Sequence, residues 1–264
     1  MKSGILHIAA QNVSGVPGQL VQAERRLGCQ SRLVTLFRDR RRYFEDICLD
    51  LPFIDLPLVR HLKRFVSDPK RLQVDNRLRI PAVLPPVWRP HTLLEKMLVQ
   101  WRDRLWSPRI QRAIAHYRLD EFEVYQLDGG LDLTRVPRFI PRMKAAGRKV
   151  ICCYTGSDLR TRGVIEEIDQ LADAVVSVEY DHLRLHPRLQ HVFFPFDADA
   201  MPPRFRAGTE TVTIGHAPTH RAAKGSHIII PALQRLAEQT PVRIALIEGM
   251  SYAAALQAKR SFDN

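Results

Sequence analysis

Thr211–Gly225 reads TVTIGHAPTHRAAKG, and its order of residue types decides how the rest of the chain is understood. Val212 and Ile214 predict a buried β-strand. A loop carrying His216, Pro218, Thr219, His220 and Arg221 follows, and Lys224-Gly225 opens a helix. The first backbone N–H groups of a helix have no intrahelical partner and lie at the positive end of its dipole, so such a junction suits a phosphate. Arg221 and Lys224 add two full charges there. The alternative is a solvated loop that happens to carry a surface arginine and lysine.

Working outward, Ser226–Glu238 has the period of an amphipathic helix, Val242–Ile247 is a strand, and a further helix starts at Ser251. Glu248 and Gly249 fall just beyond that strand's carboxyl end. Upstream, Ala198–Gly208 carries Pro202 and Pro203 and predicts a hinge. The same alternation runs back to the N-terminus. Gly4–Ala10, Ser31–Leu36, Glu123–Leu127, Arg148–Tyr154, Ala174–Val178 and Val192–Phe194 are strand candidates. A helix running to Leu27 before Gly28, and another over Val136–Ala146 before Gly147, fall between them. Short apolar strands separated by helices predict an α/β protein with a buried parallel sheet of Rossmann type. The loop after the first strand, Gln11–Gly18, lacks the G-x-G-x-x-G dinucleotide pattern.

With 264 residues, 45% of them hydrophobic, the chain can bury one large core or two small ones. No run of eighteen apolar residues exists, and Gln11 and Asn12 break the apolar start too early for a signal peptide, so the expectation is a cytoplasmic protein. Cys29, Cys48, Cys152 and Cys153 form no C-x-x-C pair and are expected to be free, buried thiols, with no metal site. A net charge of +12 calls for an anionic partner. Nucleic acid is disfavoured, because neither interleaved aromatic residues on a strand face nor a helix-turn-helix pattern is present. Anionic lipid headgroups and a nucleotide-sugar diphosphate explain the charge instead.

Residues 37–117 break the alternation and predict a functional insertion. Val59–Val66 and Leu93–Tyr117 set Lys and Arg beside Leu, Phe and Trp. Trp101 and Trp106, with Arg102, Arg104 and Arg109, suit an interfacial surface for anionic lipid; the alternative is an amphipathic helix with its tryptophans in the core. Asp128-Gly129-Gly130 lies at the carboxyl end of a strand, where ligands bind in open α/β sheets and glycine lets the backbone approach closely. A plain turn with Asp128 as local acceptor is the alternative.

A strand, then H-A-P-T-x-R-x-x-K-G over His216–Gly225, then an amphipathic helix resembles the donor-phosphate loop of GT-B glycosyltransferases, specifically the large retaining group called glycosyltransferase family 4. The resemblance implies that Arg221 and Lys224 clamp the donor diphosphate, that His216 lines the same pocket, and that Glu248 and Gly249 lie near the base. It places Gly15 where the N-terminal loop meets the diphosphate. A second segment, Gly156-Ser157-Asp158-Leu159-Arg160 after a strand, resembles a G-S-D-x-R loop facing the cleft in a subset of these enzymes. There Gly156 permits an open backbone, Ser157 and Asp158 offer acceptors to sugar hydroxyls, and Arg160 orients Asp158 or binds an anion. Asp158 is the candidate catalytic carboxylate, and Asp128, Gly129 and Gly130 border the acceptor. Tyr154 and Thr155 stand where many members have a histidine. The local alternative is that Ser157 or Asp158 caps the next helix.

The implied organisation is a Rossmann-like domain over residues 1–197, a linker over 198–208, and the start of a second nucleotide-sugar-binding domain over 209–264. A complete second domain would have roughly six parallel strands. Two are present and the family's E-x7-E signature is not, so the expectation is a domain truncated within its C-terminal half. The implied function is transfer of a sugar from a nucleotide-diphosphate donor to a glycan or lipid-linked acceptor, with retention and without a metal or other cofactor. The fragment itself could lack activity. The alternatives are a non-catalytic membrane- or partner-binding module and a basic nucleic-acid-binding protein.

Overall fold

A computed structural model describes residues 4–39, 43–52, 84–90, 92–156, 158–196, 211–218, 221–222 and 224–260. The chain divides into two units: the first holds the described residues up to 196, the second those from 211 onward.

In the first unit seven parallel strands form one sheet: β1 (Gly4–Ala9), β2 (Gln30–Thr35), β3 (Ile47–Cys48), β4 (Val124–Asp128), β5 (Lys149–Tyr154), β6 (Ala174–Ser177) and β7 (Leu189–His191). Their order is β3-β2-β1-β4-β5-β6-β7. It reverses direction between β1 and β4, and a crevice for ligands opens beyond the carboxyl ends of strands at such a switch point. The helices are α1 (Val16–Arg26), α2 (Leu93–Tyr117), α3 (Phe139–Ala145) and α4 (Glu166–Leu171). Side-chain alternation divides β1 between two faces. Leu6 and Ile8 join the large core with Trp106, Ile110, Phe139, Ile140 and Ile168, while Ala9 meets Val21 of α1. The expected α/β class with a buried parallel sheet is therefore observed.

Several elements fall elsewhere than the sequence suggests. The stretch expected to be irregular contributes β3, which pairs Val34 with Ile47 and Thr35 with Cys48. Val59–Val66 and the hinge Ala198–Gly208 lie outside the described residues. Val192–Phe194 is not a strand: pairing with β6 ends at His191, and Phe193 is 90% exposed. The helix expected from Val136 begins at Phe139, where Asp132 accepts the N–H groups of Arg138, Phe139 and Ile140 at 2.8, 2.9 and 3.2 Å.

Helix α2 separates the two tryptophans. Trp106 is in the core and donates its indole N–H to the Pro52 carbonyl at 3.0 Å, whereas Trp101 is 58% exposed. Arg102 covers Trp106 at 4.4 Å and pairs with Asp103 at 2.7 Å, and Arg109 donates to the Asp50 carbonyl. Trp106, Arg102 and Arg109 thus hold α2 to the unit instead of forming an interfacial surface. Cys152 and Cys153 are free and buried as expected, whereas Cys29 and Cys48 are free but only half-buried. Among the described residues no helix is long and apolar enough to cross a membrane.

The second unit pairs β8 (Val212–His216) in parallel with β9 (Val242–Leu246), connected by α5 (Ser226–Gln239) and followed by α6 (Tyr252–Arg260). No residue of β8 or β9 is buried, and only Pro218, Ser226 and Ile247 are buried among the described residues of this unit. Two strands and their helices cover neither sheet face fully, which leaves Val212, Leu246 and Ile228 in solvent.

Candidate functional site

In the second unit the residues singled out from the sequence converge. His216 ends β8, and its carbonyl accepts the N–H of Ile247, immediately after β9. The chain leaves both strands at the same end of the sheet. Arg221, in the loop after β8, meets Glu248, in the loop after β9, through two hydrogen bonds: Nε to Oε1 at 2.8 Å and Nη2 to Oε2 at 2.6 Å. This parallel pairing is the arrangement a guanidinium also offers to phosphate. The contact holds the Glu248 carboxyl below its ordinary range and raises Arg221. His216 Nε2 hydrogen-bonds Ser226 Oγ at 2.8 Å, and the Ser226 N–H donates to the Arg221 carbonyl at 3.0 Å. The loop is therefore fastened to the first residue of α5. Gly225 caps α5 in the left-handed conformation with no side-chain acceptor. Lys224 and Gly249 are exposed alongside, and Thr219 and His220 lie outside the described residues. The site thus pairs one cation with a carboxylate, leaves a second cation in solvent, and starts a helix that has no side-chain cap.

In the first unit a second cluster runs from within β1 and the end of β4 to the loops after β4 and β5. Asp128 is the last residue of β4 rather than part of the following loop, and it is buried. His7 of β1 lies on the α1 face, with Nε2 2.9 Å from Glu24 Oε2 and Nδ1 3.8 Å from Asp128 Oδ2. Burial alone would lower the imidazole's pKa; the Asp128 and Glu24 carboxylates outweigh it and raise the value to about 9. Burial pushes Asp128 upward despite His7. His7 and Glu24 were not singled out from the sequence; a histidine in an apolar strand and a glutamate in the next helix carry no shared motif.

Gly129 and Gly130 both take positive φ. At Gly130 this is required twice over, since a Cβ would also stand 2.7 Å from the Tyr154 hydroxyl. Asp158 spends both carboxylate oxygens on its own loop: it accepts the N–H groups of Thr155 at 3.1 Å, Gly156 at 3.1 Å and Leu159 at 2.8 Å. Gly129 lies against Asp158 and donates its N–H to the Cys153 carbonyl, so the loops after β4 and β5 touch. Ser157 lies outside the described residues. Arg160 turns away from Asp158 and binds Asp181 at 2.8 Å and Glu179 at 2.9 Å. Its place beside Asp158 is taken by Arg162, which donates to the Gly129 carbonyl. Gly15 is buried at the start of α1, where an added Cβ would meet the Tyr43 ring and the Gln19 side chain.

Sequence reading also missed Asn12, which fixes the loop after β1 by donating to the Phe44 carbonyl at 2.8 Å and accepting the Gly18 N–H at 3.2 Å. An Asn in a glycine-rich loop was the only available signal.

The solved structures that resemble the chain include two transferases and an epimerase. The glycosyltransferase SnogD from Streptomyces nogalater is 14% identical, over 97% of this chain and 74% of that one, with a TM-score of 0.49. The glycotransferase of kitacinnamycin is 10% identical, over 93% and 66%, with a TM-score of 0.44. The UDP-N-acetylglucosamine 2-epimerase from Rickettsia bellii is 9% identical, over 100% and 65%, with a TM-score of 0.36. The chain thus spans about two thirds of the length of the latter two. No protein-family model matches the chain, and no curated protein matches it in sequence. Likeness at this level carries no chemistry over to the present residues.

Proposed function

We propose that the chain is a glycosyltransferase that takes a sugar from a nucleotide-diphosphate donor, with the diphosphate held at the carboxyl ends of β8 and β9. The observation that carries this is the loop between β8 and α5, which sets Arg221 against the β9 loop and His216 against the first residue of α5, with Lys224 exposed just before a helix that has no side-chain cap. Each is a group that favours phosphate, and one strand-to-helix loop, residues 216–226, carries them all. Glu248 pairs with the Arg221 guanidinium through two hydrogen bonds, and the diphosphate competes for the same two donors. Arg221 and Lys224 then neutralise charge as the diphosphate leaves, which stabilises the transition state without a metal ion. Glu248, once released, is free to accept from donor hydroxyls, and Gly249 lets the chain pass close to the base. In the first unit, the loops held by Asp128, Gly129, Gly130 and Asp158 form the acceptor side. There Asp158 shapes the backbone that a sugar meets. Retention at the anomeric carbon and a glycan or lipid-linked acceptor follow from the resemblance of the two loops to family 4.

An anionic membrane surface would meet α2, whose first turns expose Leu93 (80%), Met97 (66%) and Trp101 beside Lys96 and Arg104. One observation favours the second reading, a partner-binding module: the uncovered faces of β8 and β9. Calorimetric titration with a panel of nucleoside diphosphates separates the two. A transferase binds one of them, and Arg221→Ala and Lys224→Ala each weaken it. A module binds none.

A further inference from the structure

Arg135 and Arg162 of the first unit each keep a buried guanidinium nitrogen without an acceptor. Arg162 closes the π-helical turn after β5 (Asp158–Arg162); it donates to the Gly129 carbonyl, but its Nη1 is shielded from solvent and has no hydrogen-bond partner. Arg135 follows β4; its guanidinium lies over the Trp88 ring, 5.0 Å from the centroid, and its Nη1 is likewise shielded and unpartnered. The two are neighbours by construction. Trp88 donates its N–H to the Val164 carbonyl at 2.8 Å, and Val87 bridges to Val164, two residues from Arg162. Gly163 makes the approach possible, because a Cβ there would run into the Pro86 carbonyl.

A charged N–H withdrawn from water without an acceptor is costly, and two like charges side by side make it more so. Burial lowers the pKa of both arginines; for Arg135 it brings the value to about 9, with the charge of Arg162 as the next cause. Asp103, Asp158 and Glu95 are the carboxylates within electrostatic reach, and the first two are already engaged. Asp103 accepts from Arg102 and from the Val136 N–H, and Asp158 from three loop amides. The missing partner is an anion with several acceptor oxygens.

We propose that Arg135 and Arg162 form a phosphate-binding site beyond the carboxyl ends of β4 and β5 of the first unit. It takes the phosphate of a small phosphomonoester or free phosphate itself, and Arg135 meets it from the Trp88 side and Arg162 from the Gly129 side. The site does not depend on the nucleotide reading, since it uses none of the same residues.

The test is calorimetric titration of the whole chain carrying Arg221→Ala, which removes the other guanidinium. Inorganic phosphate and glycerol 3-phosphate are the probes, with chloride at equal ionic strength as control. Saturable binding is expected, weakened roughly tenfold or more by Arg135→Gln and less by Arg135→Lys, which keeps the charge but loses the fork. Tighter binding of the ester assigns the site to a phosphomonoester; equal binding assigns it to free phosphate. Because Arg162 also holds the Gly129 carbonyl, Arg162→Lys is read beside a thermal unfolding curve, and phosphate should raise the midpoint of the parent more than that of either variant. Absence of phosphate binding overturns the proposal. So does unchanged affinity in a folded Arg135→Gln protein. Loss of nucleotide binding in Arg221→Ala with phosphate binding intact leaves it standing.

Discussion

Asp158 offers the sharpest test of how the first-unit loops are held. In Asp158→Ala the N–H groups of Thr155, Gly156 and Leu159 lose their acceptor together. A hydrogen bond to a charged group contributes about 1.5–3 kcal/mol, and a lost partner costs more where water cannot substitute. The loop is half-buried, so water recovers part of the loss, and the three bonds share one anion and are not additive. The expected cost is about 2–4 kcal/mol, somewhat less than the ~4.5 kcal/mol of three such bonds taken at the low end and simply added. For a domain of this size that lowers the unfolding midpoint by roughly 5–15 °C. Asp158→Asn keeps one oxygen for Gly156 and Leu159 and should lose about half as much. Thermal and urea unfolding followed by circular dichroism read both variants. A midpoint for Asp158→Ala within about 1 °C of the parent refutes the reasoning, because three unpaired amides cannot be that cheap.

Three further outcomes follow from the same geometry. Gly130→Ala forces a Cβ into positive φ and against the Tyr154 hydroxyl, and should cost about 2–4 kcal/mol in urea unfolding; Gly147→Ala, where nothing lies within 4 Å, should cost only the backbone strain of about 1–2 kcal/mol. Asp132→Ala removes a buried acceptor from the N–H groups that open α3 and should cost about 2–4 kcal/mol by the same measurement, with Asp132→Asn intermediate. His7 has a folded pKa raised from 6.5 to about 9, so the stability from its charged form is complete below pH 6.5 and is lost as pH rises through about 9. The unfolding midpoint should therefore fall between pH 6.5 and 8 in the parent, and His7→Gln should flatten that segment; an unchanged slope contradicts a charged imidazole between Glu24 and Asp128.

The parts of the fold legible in the sequence are those where one short stretch decides the structure. GILHIAA and RKVICCY are apolar enough to be interior strands, and Gly28 and Gly147 end their helices at positive φ. The second unit was legible for the same reason, because TVTIGH, the SHIIIPALQRLAEQ helix and VRIAL follow one another with little between. What the sequence hides are contacts between distant stretches. His7 and Glu24 are joined only once α1 folds back over β1, and Asp132 reaches the start of α3 only through the bend at residues 133–136. Arg135 and Arg162 look like solvated loop charges until Trp88 and Val164 bring them together. The two tryptophans of α2 are a milder case. Five residues apart, they point about 140° apart round a helix, so one of them had to face away from the core. Two-residue β3 is too short to show any period.

The most direct test of the diphosphate site is an amide-resolved NMR titration of the chain with the nucleoside diphosphate that binds best. Saturable shifts should appear at Arg221, Gly225, Ser226, Ile247 and Glu248, and the titration should lose them in Arg221→Ala. Binding that shifts only first-unit amides, or no saturable shift at the start of α5 with any of the nucleotides, contradicts it.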